Sequence, residues 1–114
     1  MKFVVAIIQP DRLHDVLDEL ENRDIHLVTV TQVLGRGRQK GVSQVYRSHV
    51  ETGNLLRKIK IEVAITDDFL PNVLEALKVG AQTSNIGDGK IFVFELDQCI
   101  RIRTGEEGPM AIGS

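Results

Sequence analysis

The chain has 114 residues, of which 42% are hydrophobic and 26% charged, so it fits one compact domain over residues 1–114 and excludes a largely disordered chain. Its net charge of −2 at pH 7 excludes the basic surface that a general nucleic-acid binder needs. The single cysteine cannot form an internal disulfide, and no apolar stretch approaches the roughly 20 residues that span a bilayer. We therefore expect a cytoplasmic protein without a signal peptide.

Positive charge is concentrated in one part of the chain. Residues 35–60 contain seven basic side chains and one acidic side chain, a net charge of +6, so the remainder carries −8. Such a local concentration predicts a site for a small anion. A solvated basic hairpin accounts for the charge equally well. The spacing of the glycines is what distinguishes an anion site from such a hairpin.

The first half of the chain predicts a strand, a helix and a second strand. Residues 3–8 form a short apolar run that is typical of a strand buried on both faces. A helix is expected over 12–22, capped by Asp11, because apolar residues recur there at helical spacing: Leu13, Val16, Leu17 and Leu20. Residues 25–34 are rich in β-branched types and predict a strand. The long aperiodic segment that follows is of a length usually associated with function.

The second half repeats this layout. Residues 57–66 alternate between apolar and polar types, as expected of a strand with one polar face. Asp67 or Asp68 is expected to cap a second helix, which Gly80 weakens or ends. Two final strands are expected over 90–96 and 99–104.

The order β-α-β-β-α-β predicts an α+β, ferredoxin-like split βαβ fold, with both helices on one face of an antiparallel sheet. The other face would then be uncovered. Residues 3–8 and 91–96 are apolar on both faces, so a monomer would expose a large apolar patch. We therefore expect another copy of the chain to cover it.

Two glycine-rich segments could bind an anion. In Gly35–Gly41, GRGRQKG, three glycines let backbone amides turn toward a ligand, and basic side chains alternate with them. The segment Gly87–Lys90, GDGK, combines a tight turn with a lysine, although a plain hairpin turn would have the same sequence. It is not a Walker A loop, since a strand rather than a helix is predicted to follow.

A third candidate is the pair Arg101 and Arg103, which strand periodicity would place on one face. Two guanidinium groups there could hold a polyphosphate, or they could form a charged strand edge. Together the three segments favour a nucleotide. Catalytic groupings are scarce: the sequence has no closely spaced histidine pair, cysteine cluster or evident triad, and Cys99 is assigned to packing.

These segments resemble one known family, the PII nitrogen-regulatory signal-transduction proteins. The resemblance extends from Met1 to Ile112. Its most specific parts are GRGRQKG at 35–41, the pair Tyr46-Arg47, KIKIEV at 58–63, IGDGKIFVFEL at 86–96 and IRIRTGEEG at 100–108.

The resemblance implies a homotrimer with ATP or ADP in clefts between neighbouring subunits. By analogy, Arg101 and Arg103 reach the phosphates from a neighbour. The implied nucleotide-binding residues are Thr29, Gly37, Arg38, Gln39, Glu62, Ala64, Gly87, Asp88, Gly89, Lys90, Arg101 and Arg103.

The resemblance also implies an effector site. Magnesium held by ATP and Gln39 would let 2-oxoglutarate bind, with its distal carboxylate paired with Lys58; the implied effector residues are Gln39, Lys40, Gly41 and Lys58. The ligands would then bias the order of a flexible loop over 37–55. A C-terminal tail over 104–114 completes the domain.

The long loop would contact the target through Tyr46 and Arg47. The implied partner is an ammonium transporter or a nitrogen-metabolism enzyme or regulator, with no direct contact to nucleic acid and a membrane reached only through a transporter.

The sequence departs from the family pattern at several positions. Glu51 stands where many relatives carry a nucleotidylated tyrosine, and His49 where others carry a phosphorylated serine, so covalent control is not expected at these sites. Leu27 replaces a usual glycine, Arg57 a common proline, and Ala64 a frequent valine.

Regulation by nucleotide and 2-oxoglutarate sensing is the main expectation, and an enzyme, such as a slow ATPase, is not expected. The alternative is a PII-like nucleotide sensor serving a carbon, bicarbonate or metal-transport partner without 2-oxoglutarate sensing. An amino-acid-binding ferredoxin-like module does not explain three phosphate-type segments.

Overall fold

A computed structural model describes residues 1–36 and 55–113. Its sheet has four strands, β1 (Lys2–Ile8), β2 (Thr29–Gly35), β3 (Leu56–Ile65) and β4 (Gly89–Glu95), in the order β2-β3-β1-β4. All neighbouring strands are antiparallel. The main helices are α1 (Leu13–Asn22) and α2 (Leu70–Ala81), followed by a short α3 (Pro109–Ile112). This arrangement confirms the α+β, ferredoxin-like fold.

The core lies between the sheet and the two main helices. Alternate side chains of β1 and β3 face the helices and are buried, and each helix contributes a matching apolar stripe, as the sequence periodicity predicts. The most deeply buried side chains are Val4, Val16, Leu20, Ile61, Val63, Val73 and Leu77.

The opposite side of the sheet, here called the open face, is not covered by either main helix. Strand register places alternate residues of all four strands on it: Thr29, Thr31, Lys58, Lys60, Glu62, Ala64, Phe3, Val5, Ile7, Lys90, Phe92 and Phe94. Phe92 and Phe94 are exposed by 46% and 53%, which is unusual for large aromatic side chains. Burial by another copy of the chain stays a prediction.

Gly80 brings the two helices into close contact. A Cβ atom at this position would lie 2.7 Å from Cα of Val16 on α1. The Nε of Arg12 also donates a hydrogen bond of 2.9 Å to the Gly80 carbonyl. The helix continues to Ala81, so Gly80 lies one residue before its end.

Two expected helix caps are wrong. Neither Asp11 nor the Asp67–Asp68 pair caps a helix with its side chain; 3-10 turns at Pro10–Arg12 and Asp67–Phe69 precede α1 and α2 instead. The Asp67 carboxylate binds the N-terminal ammonium group at 2.9 Å. This contact lowers the pKa of Asp67 through a hydrogen bond and the positive charge of the terminus.

Two expected strands also differ from the structure. The second strand begins at Thr29 rather than at residue 25, because Ile25 lies in the loop that precedes it and is buried in the core. The strand expected over 99–104 is wrong: Ile100 makes one isolated bridge with Glu107, and residues 102–104 form a turn. Backbone hydrogen bonds close this turn, from Arg101 N–H to the Glu106 carbonyl and from Gly105 N–H to the Arg101 carbonyl.

Within residues 1–36 and 55–113, no helix is long and apolar enough to cross a membrane.

Candidate anion-binding site

The loop over 82–88, here called the glycine loop, is organised around one carboxylate. Asp88 accepts hydrogen bonds from the backbone N–H groups of Thr83 at 2.6 Å and Ser84 at 2.9 Å, and from the Thr83 hydroxyl. Partial burial raises the pKa of Asp88, but these bonds outweigh it and the pKa is lowered overall. These hydrogen bonds all join the Asp88 carboxylate to its own loop. In an anion-binding site, its role would be to hold the loop backbone in place.

Gly87 in this loop and Gly89 at the start of β4 adopt conformations that other residues avoid. Gly87 has φ 101° and Gly89 has φ 114°. A Cβ atom on Gly89 would lie 1.8 Å from the Ile7 carbonyl oxygen, so the backbone comes very close to β1. The Gln9 side-chain amide donates a hydrogen bond of 2.6 Å to the Gly87 carbonyl. The turn is thus fixed from both sides.

Lysines gather on the open face next to this loop. Register places Lys60, Ile7 and Lys90 side by side in one row. Since neighbouring strands lie about 4.8 Å apart, the backbones at Lys60 and Lys90 are roughly 10 Å apart. The Lys60 ammonium lies 3.9 Å from the Glu62 carboxylate. Lys58 lies two residues before Lys60 on β3. This part of the open face therefore carries net positive charge.

A second group of expected residues lies where the start of β2 is paired with the second half of β3. Thr29 is paired with Glu62, and Ala64 follows two residues later on the same face. Ala64 and Leu27 line a cavity of about 270 Å³, most of whose surface is apolar. Its other walls are residues 24–26, the end of β3, Phe69 and the segment 109–113 that contains α3. A flat, partly apolar group would fit this chemistry better than a phosphate.

The structure corrects the expectation that Arg101 and Arg103 share one strand face, because the turn at 102–104 separates them. The Arg101 guanidinium donates hydrogen bonds to the Glu106 carboxylate and to the backbone carbonyls of Met110, at 3.0 Å, and Gly113, at 2.7 Å. Arg103 is exposed in the turn. Of the two, Arg101 is therefore the one whose side chain is held by bonds to described residues.

The two ends of β4 separate the candidate residues. Gly87 and Lys90 lie at its start, and Arg101 lies beyond its end. The strand runs over Gly89–Glu95, about 20 Å at the usual rise per residue. The glycine loop and Arg101 of one chain therefore flank opposite ends of this strand.

Several expected site residues lie outside the described part of the chain: Gly37, Arg38, Gln39, Lys40, Gly41, Tyr46 and Arg47. His49 and Glu51, where covalent control is not expected, lie outside it as well. Gly35 is the last residue of β2 and Lys58 is the third residue of β3, so both lie close in sequence to the segment that holds these residues. No group of three or more His, Cys, Asp or Glu side chains that could hold a metal occurs in the described residues.

Gln9 and Glu106 did not stand out in the sequence. Gln9 lies just after β1 and far from the glycine loop in sequence, and no motif marks it. Glu106 is one of two adjacent glutamates, and only the structure distinguishes them: Glu106 contacts Arg101, whereas Glu107 contacts the Gln98 amide at 3.3 Å.

Comparisons with known proteins agree with the resemblance. A family model described as "Nitrogen regulatory protein P-II" matches residues 1–106. The chain is 49% identical over 114 residues to the nitrogen regulatory protein GlnK1 of Methanosarcina mazei, covering 98% of this chain and 97% of the relative. It is also 49% identical over 112 residues to the nitrogen regulatory protein GlnK of Escherichia coli, covering 98% of this chain and all of that protein.

A third relative, the nitrogen regulatory protein P-II 2 of Methanothermobacter thermautotrophicus, is 46% identical over 112 residues, with 98% of this chain and 97% of the relative covered. These similarities extend over nearly the whole chain and point to nitrogen regulation by signal transduction rather than to an enzyme. The chain belongs to the P-II family of nitrogen regulatory proteins.

Proposed function

We propose that the protein binds ATP or ADP together with 2-oxoglutarate and regulates nitrogen-assimilation targets through the segment 37–55. One observation carries this proposal: Lys60 and Lys90 lie in one row of the open face, beside a glycine loop whose backbone is held in place by Asp88 and Gln9. A preorganised turn flanked by lysines suits a ligand with several negative charges. A nucleotide polyphosphate is such a ligand.

The separation of the candidate residues supports a nucleotide site shared between copies of the chain. Arg101 and Arg103 of one copy would complete the phosphate site formed by Gly87, Gly89 and Lys90 of another. Two copies are proposed because, within one chain, Gly87 and Gly89 precede or begin β4, a strand about 20 Å long, and Arg101 follows its far end. The apolar residues of the open face would be buried in the same assembly, which we propose to be a homotrimer.

The base of the nucleotide would lie toward Thr29, Glu62 and Ala64. Thr29 and Glu62 are paired on the open face and offer a hydroxyl and a carboxylate as hydrogen-bonding groups. Ala64 and Leu27 add apolar surface where they line the neighbouring cavity. A purine, with polar edges and an apolar face, matches this combination.

The effector site would form where β2 and β3 meet the segment 37–55. Lys58, opposite Val33 in the register, would pair with one carboxylate of 2-oxoglutarate. Gln39, Lys40 and Gly41 would supply the remaining contacts, with magnesium bridging ATP and Gln39. Tyr46 and Arg47 would then carry the signal to an ammonium transporter or a nitrogen-metabolism enzyme or regulator in the cytoplasm.

The experiment is a calorimetric titration of the protein with 2-oxoglutarate in the presence of magnesium and ATP, repeated with ADP. Saturable binding with ATP that Gln39→Ala abolishes and Gln44→Ala retains would support the proposal, since both substitutions remove a glutamine from the same segment. Binding of ATP without any binding of 2-oxoglutarate would reject the effector site and favour the nucleotide sensor with another partner. Absence of ATP binding would reject the proposal as a whole.

A capture experiment addresses the target. Wild-type protein and Arg47→Ala would be incubated with a matched ammonium transporter in detergent. Reduced capture of the variant is the expected result, and equal capture would reject a direct role for Arg47.

A further inference from the structure

The hairpin over 98–108 and the short helix that follows it enclose the Arg101 side chain, which is only 22% exposed. The hairpin is held by the Ile100–Glu107 bridge and by a hydrogen bond of 2.8 Å from Gly108 N–H to the Cys99 carbonyl. Glu106 is itself fixed, because its side chain accepts a bond of 3.0 Å from the Thr104 hydroxyl. The carboxylate that contacts Arg101 is therefore itself hydrogen-bonded within the hairpin.

The contacts of Arg101 use only part of its hydrogen-bonding capacity. A guanidinium has five N–H donors in a fixed plane. Within the described residues, Arg101 donates one bond to Glu106 and two to backbone carbonyls, those of Met110 and Gly113. The described residues leave two donors for a ligand, one at Nε and one at Nη1. Because the guanidinium plane is fixed by the other three bonds, each of these two donors points in a fixed direction of its own.

We propose that Glu106, together with the backbone of the C-terminal segment 110–113, positions Arg101 for anion binding. Glu106 is thus a positioning residue: it acts through Arg101 and does not itself contact the ligand. The expected ligand is the phosphate chain of a nucleotide, so this inference rests on the proposed function. An arginine held in advance loses less conformational entropy when it binds phosphate than a flexible one.

The arrangement also explains why a carboxylate can lie beside an anion site. Glu106 offsets the charge of Arg101 in the absence of ligand, while Arg103, exposed in the same turn, adds a positive charge that forms no ion pair with the described residues. Attraction of the anion would then depend mainly on the charge of Arg103, and its orientation mainly on Arg101. Loss of Glu106 would impair orientation even though it removes a negative charge.

The test compares Glu106→Gln with Glu107→Gln, which removes the same charge from the adjacent residue without touching Arg101. ATP affinity is measured by calorimetry in both variants and in Arg101→Ala. We expect Glu106→Gln to weaken ATP binding roughly tenfold, Glu107→Gln to leave it nearly unchanged, and Glu106→Asp to restore part of the loss. In the Arg101→Ala background, Glu106→Gln should have no further effect, since its influence passes through that side chain.

A second readout follows the arginine directly. The Nε–H NMR signal of Arg101 in the unliganded protein should shift and broaden in Glu106→Gln but not in Glu107→Gln, and thermal melts would verify that both variants fold. If ATP binds the wild type but both glutamine variants bind it equally well, the positioning role is rejected and the proposed function stands. If ATP does not bind the wild type, the proposed function fails and this inference fails with it.

Discussion

The Gln9 side-chain amide donates a hydrogen bond of 2.6 Å to the backbone carbonyl of Gly87, joining the residue that follows β1 to the glycine loop. Its removal should leave the core intact, because Gln9 is not part of it. Removal of this hydrogen bond should, however, let the turn at Gly87 move. Loss of this hydrogen bond should therefore reduce the order of the glycine loop while changing the stability of the fold little.

For Gln9→Ala we expect ATP affinity to fall roughly three- to tenfold, the range given by one net hydrogen bond. Amide hydrogen exchange at residues 87–90 should become faster, while the unfolding midpoint changes little. Gln82→Ala, an exposed glutamine of the same loop, is the matched control. Unchanged exchange at 87–90 in Gln9→Ala would show that the bond does not order the turn.

A second prediction distinguishes backbone strain from steric clash at two glycines. Gly89 and Gly108 both have positive φ, but a Cβ atom at Gly89 would meet the Ile7 carbonyl at 1.8 Å, whereas nothing lies within 4 Å at Gly108. Gly108 has φ 77° and ψ −156°, a backbone region nearly restricted to glycine, so Gly108→Ala should lose about 1–3 kcal/mol of unfolding free energy from strain alone. Gly89→Ala should lose clearly more, since β1 and β4 must also separate. Urea denaturation measures both, and equal losses would contradict the close approach.

Much of the fold was predictable, because one face of the sheet is buried and periodicity reports burial directly. Val4, Ala6 and Ile8 alternate with residues of the open face, and the helix stripes match them. The expected strand over 99–104 failed for a local reason: its alternation of isoleucine and arginine imitates a strand, while backbone bonds across Arg101 and Glu106 close a turn.

The candidate site was predictable only in part. The glycine spacing at Gly87 and Gly89 indicates a tight turn, which the structure contains. The groups that fix this turn could not be found from sequence, since Gln9 reaches it across the fold and Asp88 acts on its own loop. Contacts between residues distant in sequence have no local signature.

The contact between the two main helices gives a third prediction. A Cβ atom on Gly80 would lie 2.7 Å from Cα and 2.9 Å from Cγ2 of Val16, so Gly80→Ala forces α2 away from α1. We expect a loss of about 1–3 kcal/mol of unfolding free energy, despite the higher helix propensity of alanine. Val79→Ala, at an exposed position of the same helix, should change stability far less. A stabilised Gly80→Ala variant would mean that the helices can separate without loss.

The last prediction concerns His26, in the loop before β2. Its Nδ1 lies 3.0 Å from the Glu21 carboxylate, and Asp24 lies 3.7 Å from its other ring nitrogen. The hydrogen bond and the charge of Glu21, with a smaller contribution from Asp24, raise the pKa of His26 above the usual 6.5. The folded protein therefore binds this proton more tightly than the unfolded chain does.

The sign of the pH dependence follows from that difference. The stabilisation by protonated His26 is fully present below pH 6.5, the unfolded value, and is lost as the pH rises through the higher folded pKa. In an NMR titration, Glu21→Gln should lower the pKa of His26 toward 6.5, and Asp24→Asn should lower it less. Since asparagine tolerates the positive φ of 63° at position 24, the second variant is a fair control. An equal or larger effect of Asp24→Asn would show that Glu21 is not the main partner.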